Sequence, residues 1–161
     1  MKHSLLQEKY PVFTLEVEKS ETSFSAVDPI VEYLKQCIDS HKSARFIAVF
    51  DHYAHTKSLP EGQIGKEILD AKNIVFCFGI ALPNPQVMAV RPRSIGAVEL
   101  VDSFVITFME APMPVANAAM EKWAKSLKNL PGESNDEDRD NQPESAHHHG
   151  PRGQDPAIPG L

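Results

Sequence analysis

The densest group of chemically capable side chains in the 161-residue chain is Asp51-His52-Tyr53-Ala54-His55. A carboxylate and two imidazoles this close could hold a divalent cation, or the carboxylate could orient a histidine as a general base. Local geometry restricts both readings. On an extended strand Asp51, Tyr53 and His55 share one face and His52 takes the other. Four residues of strand then separate Asp51 from His55 by about 13 Å, too far to share an ion. Only a turn or bulge at the strand end brings His52 and His55 together. The spacing also differs from the helical His-Glu-x-x-His zinc motif. The simplest reading is a hydrogen-bonded strand terminus, with acid–base chemistry, ligand binding and metal binding as the alternatives.

Arg91-Pro92-Arg93-Ser94 is the second group. In an extended segment its two guanidinium groups project from one face, where they could clamp a carboxylate or phosphate through paired hydrogen bonds. Pro92 restricts the segment to an edge or a bend. The plainer expectation is ion pairing with acids such as Glu99 or Glu110. Asp51, His52, His55, Arg91 and Arg93 are therefore the candidate ligand-binding residues, with no residue assigned to catalysis and no cofactor or metal expected. Other signatures are missing. Gly62 and Gly65 do not form a phosphate loop, Ser58 and Ser94 lie in no nucleophile elbow, and Cys37 and Cys77 form no C-x-x-C pair.

The elements that must position these residues follow from periodicity. Phe13, Leu15 and Val17 alternate with Thr14, Glu16 and Glu18, the pattern of a half-buried antiparallel strand. Asp28-Pro29 then predicts a capped helix start. Ile30, Leu34, Cys37 and Ile38 form the apolar stripe of a helix reaching about His41. Cys37 reads as a small buried hydrophobe rather than a reactive thiol. Residues 45–53 (RFIAVFDHY) are apolar on both faces up to Asp51, which predicts a central strand covered on both sides or buried in a dimer. Residues 56–71 read as a connection containing a short helix near 65–70. Residues 73–80 (NIVFCFGI) form a second intensely apolar strand with Cys77 inside it, and Pro83 and Pro85 end that ladder. Residues 87–93 and 95–101 predict one bent strand or two short ones, and residues 104–109 predict another strand. A last helix runs from Val115 to about Asn129. Its stripe is Ala116, Ala119, Met120, Trp123, Leu127 and Leu130, and Lys122, Lys125 and Lys128 complement its dipole.

The order β-α-β-β-β-β-α predicts an α+β fold, a two-layer sandwich. Its mainly antiparallel sheet has five or six strands, with two main helices on one face, and its topology is like that of the TATA-binding protein. The strand end Phe50-Asp51-His52-Tyr53-Ala54 and the later strand Val75-Phe76-Cys77-Phe78-Gly79 resemble an uncharacterised bacterial family, domain of unknown function 302. That family pairs an Asp-His-Ala strand end with an apolar strand closing in Phe-Gly-Asn-Pro. Here Tyr53 intrudes in the first motif, and four residues (80–83) separate Gly79 from Asn84-Pro85 in the second. The resemblance spans about residues 45–109, implies no established activity, and singles out only Asp51 and His52 among polar positions.

Composition bounds the remaining possibilities. Hydrophobic residues make up 42% and charged residues 24%, enough for one packed domain. Residues 1–130 carry 14 basic and 15 acidic side chains, whereas residues 131–161 carry 2 and 7, so nearly all of the −6 net charge lies in the last segment. The body has no cationic surplus for a nucleic-acid backbone, and nucleic acid is not an expected partner. The longest apolar run, about ten residues, is too short to span a membrane, and no membrane partner is expected. The first residues, MKHSLLQEKYP, lack the apolar centre of a secretory signal, which points to the cytoplasm. Residues 131–161, rich in Pro, Gly and acids, predict a disordered tail whose His147-His148-His149 run has only adventitious metal affinity. The expectation is a single domain over 1–130 that works as a binding or protein-interaction module, self-associating as a homodimer. The alternative is a small enzyme or sensor of an anionic ligand, using Arg91 and Arg93 with His52 and His55. A metal-binding protein is a third and weaker reading.

Overall fold

The computed structural model describes residues 1–129. The expected tail, its histidine run and Leu130 lie outside the described residues. Six strands, β1 (Lys2–Leu6), β2 (Tyr10–Glu18), β3 (Ala44–Asp51), β4 (Asp70–Phe78), β5 (Arg93–Glu99) and β6 (Ser103–Met109), form one sheet in the order β1-β2-β6-β5-β4-β3. Every neighbouring pair is antiparallel. Helix α1 (Val27–Asp39) carries the chain from β2 to the far edge of the sheet. The chain then returns strand by strand through β3, β4 and β5 to β6, which closes against β2 before α3 (Pro114–Lys125). The α+β sandwich and its strand–helix order are those expected, with β1 and a short helix α2 (His52–Ser58) added.

The core lies between one sheet face and the two long helices. Leu15 and Val17, Ile74 and Phe76, Ile95, and Phe104 and Ile106 point into it from alternate positions of β2, β4, β5 and β6. They meet Val27, Ile30, Leu34 and Ile38 of α1 and Ala116, Met120, Trp123 and Ala124 of α3. Each large side chain so buried contributes about 1.5–3 kcal/mol before entropy is counted.

Several local expectations need correction. The first helix starts earlier, with Ala26 at the N-cap. Asp28 sits in the first turn and pairs with Lys72 of β4 instead of capping. The strand around Phe50 is an edge strand, not a central one, because α1 delivers the chain to the outside of the sheet. Its two-sided apolar pattern has a local cause. A bulge between Phe46 and Ala48 shifts the register, so Ala44 and Phe46 align with core residues Phe78 and Phe76, while Ala48 and Phe50 align with Val75 and Asn73 on the opposite face. The expected helix near residues 65–70 is a turn, and the helix of this region is α2. Residues 85–89 form a 3-10 turn, so the strand begins only at Arg93. Cys77 lies on the face away from the helices and is half-buried. Helix α3 ends at Lys125, where the Ser126 hydroxyl donates to the Trp123 carbonyl and Thr22 donates to the Leu127 carbonyl.

Candidate functional site

The Asp51–His55 group sits where β3 becomes α2. Asp51 turns its carboxylate onto the new helix, and Oδ1 accepts the Ala54 N–H at 2.9 Å as an N-cap. Its other oxygen lies 3.7 Å from Lys72 Nζ, which also bonds Asp28. The bond to Asp28 lifts the Lys72 ammonium above its ordinary pKa. Burial opposes that shift, and the charges of Asp28, Asp70 and Asp51 reinforce it. One lysine thus ties the start of α1 to the start of α2.

Helix formation also settles the two histidines. At i and i+3 of α2 their rings stand 6.3 Å apart, and both lie 5.2 Å from the Phe50 ring. His52 Nδ1 donates to Asn73 Oδ1 at 3.2 Å, which fixes that tautomer. The third ligand that a metal would need is turned away, because both Asp51 oxygens face other partners. Among the described residues no three His, Cys, Asp or Glu side chains are placed to share an ion.

Arg91 and Arg93 do not form a clamp. Arg91 donates to the Ala81 carbonyl across the loop between β4 and β5. Gly79 makes that contact feasible: it has φ of +115°, and a Cβ there would lie 2.8 Å from the Arg91 guanidinium. Arg93 is 9% exposed and faces the core side of β5, alongside Ile95 and Ala97. It donates to the carbonyls of Val90 and Met109, its Nε has no partner, and burial pushes its pKa down. Neither arginine pairs with Glu99 or Glu110: Glu99 takes Lys19, and Glu110 approaches His3.

The two groups are also apart. Arg93 aligns with Phe76, three residues along β4 from Asn73, a displacement of about 10 Å. His52 is bonded to Asn73 on the face of the sheet opposite to that of Arg93. His52 and His55 therefore meet at Phe50, Asp51 beside them caps α2, and Arg91 and Arg93 brace the far end of the strands.

The most distinctive surface is the outer edge of β3. Its first half is closed by side chains: the Phe46 N–H bonds Asp39 Oδ1 at 3.3 Å, and the Arg45 guanidinium bonds the Ala44 carbonyl at 2.9 Å. Lys35 covers the Phe46 ring at 4.6 Å. From Ile47 onward every residue is exposed, with Ile47 at 53%, Val49 at 42% and Phe50 at 43%. Among the described residues no side chain bonds the backbone there. Beside it the sheet's second face bears Val75, Val98 and Val105 around Asn73 and Thr107, and among the described residues no long helix lies above them.

A family model described as a family of unknown function (DUF6858) matches residues 1–129. The chain belongs to this family. The DUF6858 match covers all of the described α+β unit, including β1 and the edge strand β3. The match does not itself show the resemblance of the two short motifs to domain of unknown function 302. Asp51 and His52 serve the cap and first turn of α2, and Gly79 leads into a loop held by Arg91 instead of an Asn-Pro turn. No curated protein and no solved structure gives a significant match. No helix of the described residues is long and apolar enough to cross a membrane.

Sequence reasoning missed α2 and the edge position of β3. A signal existed for each. Asp51 precedes a His-Tyr-Ala-His-Thr-Lys run with no strand alternation, which is an N-cap pattern. A β-α-β crossover that precedes three returning antiparallel strands leaves its second strand outermost.

Proposed function

We propose that this DUF6858 domain is a protein-interaction module that self-associates as a homodimer through the outer edge of β3. The observation that carries this is the run of exposed apolar residues Ile47–Phe50 on an edge strand whose backbone no side chain of the described residues covers. Soluble proteins blunt such edges with charge, proline or a covering element. Here the blunting stops at Phe46. A second copy related by a two-fold axis can add its own β3 antiparallel to this one, so that both chains satisfy the same groups. A stable dimer buries about 800 Å² on each partner, more than one strand supplies. The contact therefore extends onto Phe50 and the adjoining imidazoles of His52 and His55. Those two side chains act in this reading as the rim of an interface. The free thiols Cys37 and Cys77 fit a reducing compartment such as the cytoplasm.

Light scattering across micromolar concentrations is the test. The expected result is twice the chain mass for the native protein and the single-chain mass for Val49→Lys, with the circular dichroism spectrum unchanged. A native protein that stays monomeric throughout, or a Val49→Lys variant that still dimerises, contradicts the proposal.

A further inference from the structure

The helical layer holds a second feature, between α1 and α3, that does not rest on the dimer. A cleft of about 590 Å³ lies between the C-terminal part of α1 and the outer side of α3. The cleft is shallow and largely open to solvent, so it suits one face of a flat ligand rather than enclosing it. Trp123 lies at its base, 7% exposed, with its ring set edge-on to Phe76 at 5.8 Å and to His41 at 6.0 Å. Cys37, Ala118 and Ala119 line it as well. The small alanines leave room over the indole, and burial raises the Cys37 thiol pKa, so the sulfur is a neutral, apolar wall.

Four polar residues also line the cleft, Gln36, Ser40, His41 and Lys122, and the Ser40 hydroxyl donates to the Gln36 backbone carbonyl. Two of the four carry donors suited to an anion. His41 accepts the Ser43 N–H at Nδ1, 3.1 Å away, which makes Nε2 the donor of the neutral ring. No described residue takes that proton. The ring is held by the Phe78 ring at 4.9 Å as well as by Trp123. Lys122 is the second group, exposed and without an ion-pair partner among the described residues, while the nearby Glu121 is engaged by Lys125 at 3.0 Å. None of the residues lining the cleft is acidic. An aromatic floor, small apolar walls, one oriented N–H donor and one ammonium complement a ligand with a flat apolar body and a negative end.

We propose that this cleft binds a small aromatic carboxylate, with its ring over Trp123, Ala118 and Ala119 and its carboxylate between His41 Nε2–H and the Lys122 ammonium. Trp123 is the chain's single tryptophan, so its indole N–H resonance in a nitrogen-15 spectrum reports the site alone. The probes are 2-naphthoate and its neutral counterpart 2-naphthamide, titrated into the full chain. The expected result is a saturable shift of the Trp123 resonance with naphthoate below about 1 mM. Lys122→Gln should weaken naphthoate about fivefold and leave naphthamide unchanged. Ala118→Phe, a substitution at an exposed position that fills the cleft, should abolish both shifts while the β-sheet resonances stay in place. No saturable shift, equal weakening of both probes by Lys122→Gln, or undiminished binding by Ala118→Phe would each overturn the proposal. Because Lys122 is exposed, its variant keeps the test decisive even where the filled cleft disturbs α3.

Discussion

The two edges of the sheet are built differently. At one edge β1 is five residues long and begins with Lys2, His3 and Ser4. His3 packs on Phe13 at 4.6 Å and approaches the Glu110 carboxylate at 3.7 Å. Gln7 and Glu8 at positive φ turn the chain sharply away from β1 and back into β2. A short strand that opens on charged and polar residues discourages addition of a further strand. At the other edge β3 is eight residues long, and its latter half is Ile47-Ala48-Val49-Phe50, apolar and open. Both strands are equally outermost, so position in the sheet does not explain the contrast. β1 also exposes Leu5 and Leu6, so the contrast lies in its short length and polar first half against four consecutive exposed apolar residues on β3. In the proposed dimer each copy offers β3 once, and a two-fold pairing of that edge closes on itself.

That contrast can be broken experimentally, and the largest effect belongs to the control. Phe76 and Phe50 lie on adjacent strands, yet Phe76 is fully buried against Trp123 whereas Phe50 is 43% exposed. Phe76→Ala should cost about 3–5 kcal/mol in chemical denaturation. Phe50→Ala should leave the stability of the single chain within about 1 kcal/mol and weaken association instead, which light scattering separates from unfolding. Charge reversal of roles comes next. Val49→Lys should weaken self-association more than about tenfold, a loss of about 1.4 kcal/mol or more. Ser4→Lys on β1 should leave the mass distribution unaltered.

Smaller effects sharpen the junction at the end of β3. Asp51→Ala removes the cap of α2 and should cost about 1 kcal/mol, with faster amide exchange confined to residues 52–58. Lys72→Met should cost a similar or smaller amount, about 0.5–1 kcal/mol, because Asp28 is largely exposed and water competes for it. The pH dependence of that second loss has a definite sign. The ammonium of Lys72 is more basic in the folded chain than its ordinary value of 10.5, so its contribution is complete below that value. It disappears as pH rises through the folded value. Denaturation curves of native and Lys72→Met protein should therefore differ at pH 8 and converge as pH rises above 10.5 and through the folded value.

Much of this architecture was legible in residue patterns, and the exceptions have physical causes. Alternation in Phe13-Leu15-Val17 and the stripe Ile30-Leu34-Ile38 declared β2 and α1, because burial on one face leaves a period in the sequence. β1 left none: Lys-His-Ser-Leu-Leu is exposed at nearly every position. β3 misled for the opposite reason. Its apolar residues on both faces read as a central strand, since hydrophobicity alone does not distinguish burial by the same chain from burial by another. The bulge at Ile47 then disguised which residues share a face. The candidate polar residues were legible as types but not as roles. Asp51 was recognised as a strand terminus, yet its helix-capping geometry depends on a turn that alternation does not encode. Arg91 and Arg93 suggested an anion clamp, and what they contact are backbone carbonyls supplied by Ala81, Val90 and Met109, atoms every residue possesses and no sequence pattern advertises. The cleft at Trp123 is hidden similarly, because in the sequence Ala119 and Trp123 fall on the apolar stripe of a helix and carry no mark of a surface depression.

Hydrogen exchange followed as a function of protein concentration tests the central claim most directly. Backbone amides from Ile47 to Phe50 should exchange slowly in concentrated solution and lose that protection on dilution below the dissociation constant. The amides of Lys2 to Leu6 should exchange at one rate throughout. Amides of β3 that exchange equally fast at every concentration, or a concentration-dependent protection that appears on β1 instead, would contradict the assignment of β3 as the edge that joins two copies of this chain.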